Sequence, residues 1–194
     1  MFINWQAREL NIKIVYYGPA LSGKTTNLEQ IHAGVNPERR GELVSLKTHE
    51  DRTLFFDFMQ LELGKIGGLT PKIHLYTVPG QAYYESSRKL VLRGVDGVVF
   101  VADSCEPRMK SNLQSWRKMS EHLEALGYTI ASLPIVLQCN KQDLPNAFDP
   151  EDVKQLLQMQ GPVLGSVAIQ NLGVAETFKA IASNVINHVQ LQLA

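Results

Sequence analysis

Residues 12–34 read IKIVYYGPALSGKTTNLEQIHAG, and they predict a strand, a glycine loop and a helix in succession. Residues 12–18 form an apolar run typical of a buried strand, and residues 24–34 have helical spacing until Gly34. Between them lies the spacing G-x-x-x-x-G-K-T. The alternative is a plain glycine turn before a helix, but the strand-to-helix context favours a loop that holds nucleoside phosphates.

This loop contains the groups that a nucleoside triphosphate requires. Glycines allow backbone N–H groups to converge on the phosphates, a lysine reaches the β and γ phosphates, and a threonine hydroxyl binds magnesium. In this chain the lysine is Lys24 and the magnesium ligand is Thr25. We predict nucleotide contacts from Gly18, Ala20, Leu21, Ser22, Gly23, Lys24, Thr25 and Thr26.

Outward from this stretch, predicted strands and helices alternate along the chain. Strand-like runs occupy 53–63, 71–78, 96–103, the first part of 134–143, and 162–169. Helical spacing occupies part of 83–94, then 108–126, 150–159 and 174–190. The polar residues 35–52 suit a mobile connection and carry no assignment. We predict an α/β fold in one domain over residues 1–194: a mostly parallel sheet with helices on both faces and one antiparallel hairpin at 53–78.

A second polar motif, N-K-Q-D, follows the apolar run PIVLQC and consists of Asn140, Lys141, Gln142 and Asp143. A carboxylate at this place can accept from both N1–H and the 2-amino group of guanine, whereas adenine would leave the charge unpaired. The lysine stem can cover the base, and the asparagine is predicted to tie the loops together. A polar turn that ends a strand is the alternative. Since ligands bind beyond the carboxyl ends of parallel strands, the pairing with the glycine loop favours guanine. Ala168, after the last strand, is predicted to add a backbone N–H to the guanine oxygen.

Charge and hydropathy restrict the partners. Nineteen basic residues balance nineteen acidic residues, so the chain lacks the positive surplus typical of proteins that bind nucleic acid or anionic membranes. The first residues, MFINWQAREL, lack the apolar core of a signal peptide, and the apolar run GVVFVA is far shorter than a bilayer requires. We therefore expect a cytoplasmic protein without a stable membrane anchor, and a monomer because no spare apolar face is apparent.

The sequence resembles the Ras-like small GTPases and, more closely, the bacterial MglA family. The resemblance is carried by GPALSGKT, NKQDLPNA, KIVYYGP, DRTLFFDF, HLYTVPGQ, SRKL and RGVDGVVFVADS, and it covers nearly the whole chain. It implies a three-layer small G-protein fold, with GTP or GDP and Mg²⁺ as ligands. It also implies slow GTP hydrolysis accelerated by a roadblock-type partner of the MglB kind, downstream effectors, and a role in cell polarity or gliding motility. Partners of such a protein are expected to recruit it to a membrane or a cell pole.

Further site residues follow from this resemblance. Thr53 corresponds to the hydroxyl that closes over magnesium, Gly80 to the nucleotide-binding glycine of D-x-x-G, and Gln81 to the glutamine that orients the attacking water. Arg52 corresponds to an arginine that the family brings into the site from its own chain, where it would stabilise charge on the transferred phosphoryl group. Asp57 corresponds to an aspartate near the site. The alternatives are a solvated charge for Arg52, a surface amide for Gln81 and a strand-face charge for Asp57.

Two positions depart from the wider pattern. Most Ras-like proteins carry aspartate in D-x-x-G, where this chain has Thr77 before Val-Pro-Gly80, a change that MglA proteins share. Magnesium affinity is therefore expected to be weaker or to depend on Asp57. Ala20 replaces a usual glycine close to the γ-phosphate. We hypothesise that its methyl group slows hydrolysis while nucleotide binding remains.

Three functions remain possible at this point. A GTP-hydrolysing switch is favoured because Gln81 and Arg52 are both present. A module that binds GTP or GDP and recruits partners with negligible hydrolysis is supported by Ala20 alone. A phosphate-loop nucleotide kinase or ATPase is disfavoured by N-K-x-D. In a switch, segments 35–57 and 79–94 would form the docking surface, because the γ-phosphate can order both.

Overall fold

The computed structural model describes residues 2–47, 53–65, 68–81 and 84–193, and this part contains one eight-stranded sheet and five α-helices. The strands are β1 (Phe2–Asn4), β2 (Glu9–Tyr17), β3 (Val44–Lys47), β4 (Thr53–Glu62), β5 (Thr70–Thr77), β6 (Gly97–Asp103), β7 (Ile135–Asn140) and β8 (Val163–Ser166). The helices are α1 (Lys24–Gly34), α2 (Glu85–Leu92), α3 (Met109–Glu124), α4 (Pro150–Leu156) and α5 (Val174–Leu193).

The sheet has the strand order β3-β4-β5-β2-β6-β7-β8. Strands β5, β2, β6, β7 and β8 run parallel, as their hydrophobic composition and the helical crossovers require. The predicted antiparallel hairpin is formed by β4 and β5. The α/β fold class is therefore confirmed.

Two further antiparallel pairs were not predicted, namely β1 with β2 and β3 with β4. Both involve strands of only three or four residues, which are too short to show a reliable period of two. The β3–β4 pairing also shifts register between Ser45 and Lys47. Residues 44–47, which belong to the polar stretch 35–52, thus form an edge strand of the sheet.

Alternation along the central strands divides the core into two halves. Ile12, Ile14 and Tyr16 of β2 face the half covered by α1 and α5, which contribute residues such as Leu28 and Ile181. Val15 and Tyr17 face the other half, which is covered by α2, α3 and α4. Successive strand side chains point to opposite faces, so a fully apolar strand fits a sheet with helices on both sides.

The predicted element boundaries agree with the structure to within a few residues, except at the last strand. Residues 162–169 were predicted to form it, but β8 ends at Ser166 and residues 168–170 form a 3-10 turn. In the described ranges, no helix combines the length and the apolar character needed to cross a membrane.

Candidate functional site

Five parallel strands end at the same edge of the sheet, and each is followed by a polar loop. The glycine loop (residues 18–25) follows β2, the PGQ segment (residues 79–81) follows β5, and the NKQD loop (residues 140–143) begins at the last residue of β7. The ladder places Asp103 opposite Asn140 and Asn140 opposite Ser166. The motifs that the sequence singled out are therefore brought to the place where ligands bind in open parallel sheets.

Lys24 lies inside the glycine loop. Its Nζ donates hydrogen bonds to the carbonyl oxygens of Gly18 (3.1 Å) and Pro19 (2.7 Å), and the side chain is buried. Burial lowers the pKa of Lys24 to about 7, helped by the cations Arg88 and Arg108, while Asp57 acts in the opposite direction. An anion bound in the loop would compensate this desolvation.

The glycine loop also touches the NKQD loop directly. Gly23 has φ +100°, and a methyl group built on it would overlap the side-chain nitrogen of Asn140, so only glycine fits there. Asn140 Nδ2 donates to the Ser22 carbonyl (2.8 Å). Asn140 thus ties the two loops together, as the motif predicts.

The other face of Asn140 holds the segment after β8. Its Oδ1 accepts from the Ser166 hydroxyl (3.1 Å) and from the Ala168 N–H (2.9 Å). The Ala168 amide therefore already has an acceptor within the protein, and its contact with a guanine oxygen stays a prediction. Asp143 is exposed at the end of the NKQD loop, and Lys141 Nζ pairs with Asp103 at 2.6 Å.

A buried carboxylate lies beside the first turn of α1. Asp57 on β4 is fully buried, and its Oδ2 accepts from the hydroxyls of Thr25 (2.6 Å) and Thr77 (2.8 Å). Its Oδ1 accepts a hydrogen bond from Ser45 Oγ. Thr77 Oγ1 in turn accepts from the Asp57 N–H at 2.9 Å. Thr77, at the position where the wider pattern has aspartate, therefore supports a carboxylate supplied by the neighbouring strand.

This oxygen-rich group fits Mg²⁺. The ion is usually held by one or two carboxylates together with substrate phosphates and water, and here one carboxylate and several hydroxyls converge. No cluster of three His, Cys, Asp or Glu residues that would hold a metal by itself occurs in the described part of the chain. Thr25 and Asp57 are the described residues best placed to hold the ion.

Gly80 of the PGQ segment packs on the glycine loop at Ala20, with Lys24 Nζ close by. The Gln81 carbonyl accepts from Arg88 Nη1 at 2.7 Å, and this anchors the segment to α2. A cavity of about 630 Å³ opens between the glycine loop, the PGQ segment, α2 and α3, and both Ala20 and Gln81 line it. The structure thus places Gln81 at the same cavity as Ala20 of the glycine loop, and its role toward a γ-phosphate stays a prediction.

Some predicted residues are not positioned in this way. Arg52 lies outside the described residues, and Thr53 is the first residue of β4. Leu21 is exposed with φ +63°, and Thr26 is half-buried in the first turn of α1. Their predicted contacts with the nucleotide or the metal stay predictions.

No role is predicted from the sequence for Arg88, Asp103 or Arg108. Asp103 offered a signal, because a carboxylate ends the otherwise apolar strand GVVFVAD. Arg88 offered only its place in the motif SRKL, and Arg108 offered none. Their contacts depend on how distant segments meet.

Comparisons with known proteins identify one matching family model and several related proteins. The family model described as "Arf: ADP-ribosylation factor family" matches residues 1–190. The "Mutual gliding-motility protein MglA" of Myxococcus xanthus is 50% identical over 190 residues, which is 97% of each chain. "ADP-ribosylation factor-like protein 2" of Drosophila melanogaster is 28% identical over 154 residues, 79% of this chain and 72% of the relative. "ADP-ribosylation factor-like protein 4A" of Homo sapiens is 32% identical over 91 residues, 46% of this chain and 43% of the relative.

Proposed function

Because the chain belongs to the ADP-ribosylation factor family of small GTPases, we propose that it is a GTP-driven molecular switch. This membership confirms the resemblance drawn from its motifs. It binds GTP and Mg²⁺, hydrolyses GTP slowly to GDP and phosphate, and returns to the GDP state. Partners distinguish the two states through segments 35–57 and 79–94. A single G domain over residues 1–194 performs all of these steps.

The contact between Asn140 and Ser22 carries this proposal. It joins the loop suited to a guanine base to the loop suited to phosphates, within one hydrogen bond of 2.8 Å. Asp143, exposed beside this junction, is free to accept from N1–H and the 2-amino group of guanine. An adenine base offers neither donor in that arrangement, so GTP is preferred over ATP.

Several side chains serve hydrolysis in this proposal. Lys24 supplies positive charge to the β and γ phosphates, and the Thr25 hydroxyl holds Mg²⁺, with Thr53 as the second hydroxyl and Asp57 as the nearby carboxylate. The bound ion neutralises charge on the phosphates. Gln81 orients the attacking water, and its backbone is held by Arg88.

Arg52 completes the site in the active state by placing its guanidinium near the transferred phosphoryl group. This placement lowers the barrier because charge develops there in the transition state. The arginine comes from the same chain, so a partner that stimulates hydrolysis need not supply one of its own.

The partners follow from the MglA relative. We propose a roadblock-type, MglB-like activator, effectors that bind the GTP state, and a role in cell polarity or gliding motility, by analogy with the protein named for gliding motility. The protein acts in the cytoplasm, as a monomer on its own, and reaches a membrane or a cell pole through these partners. An adjacent roadblock-type gene would support this pairing.

The test compares nucleotide binding and then phosphate release. The purified protein is expected to bind GTP at least about a hundredfold more tightly than ATP and to release phosphate from GTP, faster with a roadblock-type partner. Asp143→Ala should lose the preference for guanine. The matched control is Asp152→Ala, which removes an exposed carboxylate from α4 and should change nothing. Equal affinity for ATP and GTP would overturn the proposal.

A second candidate function is supported by Ala20. Its backbone lies against Gly80, where extra volume can hinder closure of the site. The alternative protein binds GTP or GDP and recruits partners with negligible turnover. Phosphate release decides between the two, because only the switch produces it, alone or with its activator.

A further inference from the structure

Arg108 contacts both the glycine loop and the carboxyl end of β6. It is the last residue of the 3-10 turn Glu106–Arg108, directly before α3. Its Nη2 donates a 2.6 Å hydrogen bond to the Ala20 carbonyl of the glycine loop, 88 residues away in the chain. Its Nε lies 3.6 Å from Asp103 Oδ2. One guanidinium thus bridges the glycine loop and the end of β6.

Asp103 is the second half of this bridge. The same Oδ2 pairs with Lys141 Nζ of the NKQD loop at 2.6 Å, and Oδ1 accepts from the Cys105 N–H at 3.1 Å. The Asp103 side chain is 2% exposed, so its charge is shielded from water and fixed by these partners. The result is a continuous chain from Lys141 through Asp103 and Arg108 to Ala20.

We propose that Arg108 is a positioning residue for GTP hydrolysis, which fixes the Ala20 peptide against Gly80. The inference rests on the proposed GTPase function. A guanidinium suits this task because its planar fork donates in two directions at once, whereas an ammonium acts as a single point charge. Ala20 and Gly80 are in direct contact, so a displaced Ala20 carbonyl also displaces the segment that carries Gln81.

The same geometry indicates that base recognition does not depend on Arg108. Lys141 and Asp103 pair directly, so their contact survives when Arg108 is removed. Guanine selectivity and the overall affinity for GTP should therefore persist, while alignment at the γ-phosphate is lost. The net positive charge of the Lys141–Asp103–Arg108 group lies near Lys24, since Arg108 contributes to the lowered pKa of that lysine.

The test uses Arg108→Ala with Arg117→Ala as its matched control. Arg117 is an exposed arginine of α3. Both arginines line the cavity between the glycine loop, the PGQ segment, α2 and α3, so the loss of Arg117 removes the same charge nearby. In single-turnover phosphate release from GTP-loaded protein, Arg108→Ala should be slower by about tenfold or more, since small misplacements near reacting groups are costly. GTP affinity should stay within about threefold of the unaltered protein, and the GTP-to-ATP preference should be retained.

A spectroscopic readout separates positioning from general destabilisation. With the non-hydrolysable analogue GppNHp bound, the ³¹P signal of the γ-phosphate should shift or broaden in Arg108→Ala and not in Arg117→Ala. Arg108→Lys keeps the charge but not the fork, so its rate should lie between those of the Ala variant and the unaltered protein, at least about threefold below the latter. If Arg108→Ala does not fold, the Lys variant alone decides.

The outcomes are distinct. An Arg108→Ala rate equal to that of Arg117→Ala, or an Arg108→Lys rate equal to that of the unaltered protein, overturns the inference. A loss of guanine preference in Arg108→Ala also overturns it, because base recognition was to be independent of Arg108. If the unaltered protein neither prefers GTP nor releases phosphate, the proposed function itself fails.

Discussion

Gly80 packs directly against the backbone of Ala20. A methyl group built on Gly80 would lie 2.6 Å from the Ala20 nitrogen and 3.0 Å from Lys24 Nζ, and it would overlap the Ala20 Cα. No rearrangement of a flexible side chain can relieve an overlap with backbone. The PGQ segment and the glycine loop are therefore fitted to each other at residue 80.

Gly80→Ala should reduce single-turnover phosphate release by about tenfold or more, because the two loops must separate to admit the methyl group. GDP binding should be nearly unchanged. Gly34→Ala is the control, since a methyl group at the end of α1 would contact nothing within 4 Å. Gly80→Ala should lower the rate by the same factor in an Ala20→Gly background, because glycine retains the overlapping Cα and nitrogen. A smaller factor in that background would show that the methyl group of Ala20 causes the conflict.

Ala20→Gly by itself should increase single-turnover GTP hydrolysis by roughly threefold to tenfold, because it removes volume from a residue of the cavity that Gly80 and Gln81 also line. GTP affinity should change little, since the backbone N–H groups of the loop remain. The rate is measured alone and with a roadblock-type partner. Equal rates for the two proteins under both conditions would contradict the hypothesis that Ala20 slows the switch.

Asp57→Asn should weaken Mg²⁺ binding to the nucleotide-loaded protein by roughly tenfold to a hundredfold. The variant loses the buried negative charge, and its amide would face hydroxyl groups that now donate to Asp57 from Thr25 and Thr77. Mg²⁺ titration monitored by nucleotide release measures the effect. Asp96→Asn is the control. Asp96 accepts from the Lys13 N–H next to the start of β6, at the edge of the sheet opposite the glycine loop. An unchanged Mg²⁺ dependence would exclude Asp57 from the metal site.

Nucleotide binding should take up a proton at Lys24. Burial lowers the pKa of Lys24 to about 7 without ligand, whereas bound phosphates favour the charged form. Uptake should approach about one proton near pH 8.5 and about zero near pH 6, so affinity falls as pH rises above 7. Calorimetry in buffers of different ionisation enthalpy measures it. Lys24→Arg should abolish the uptake, because arginine keeps its proton; equal uptake in both proteins would assign the proton elsewhere.

The same pKa shift affects the nucleotide-free protein. Between about pH 7 and pH 10.5 the unfolded chain holds the Lys24 proton and the folded chain does not. Because the unfolded state binds more protons in this range, the contribution of Lys24 to the free energy of unfolding rises with pH. Thermal unfolding of the protein and of Lys24→Met across this range checks the sign.

Local sequence patterns are enough to predict the strand, loop and helix of residues 12–34, the NKQD loop and the α/β fold class. These features are local: periodicity and motif spacing belong to contiguous residues, and parallel strands then bring their carboxyl ends to one edge. Asn140 is an example, because its predicted role as a tie between loops follows from motif and position together.

Contacts between side chains that are distant in sequence depend on the tertiary structure. Asp57 takes the place beside Thr25 because the pairing of β4 with β5 brings it to Thr77, and Arg108 reaches Ala20 because α3 begins beside the glycine loop. The short strands β1 and β3 are likewise defined by their partners and not by their own period. Such contacts depend on register and packing between segments far apart in the chain, which no local pattern encodes.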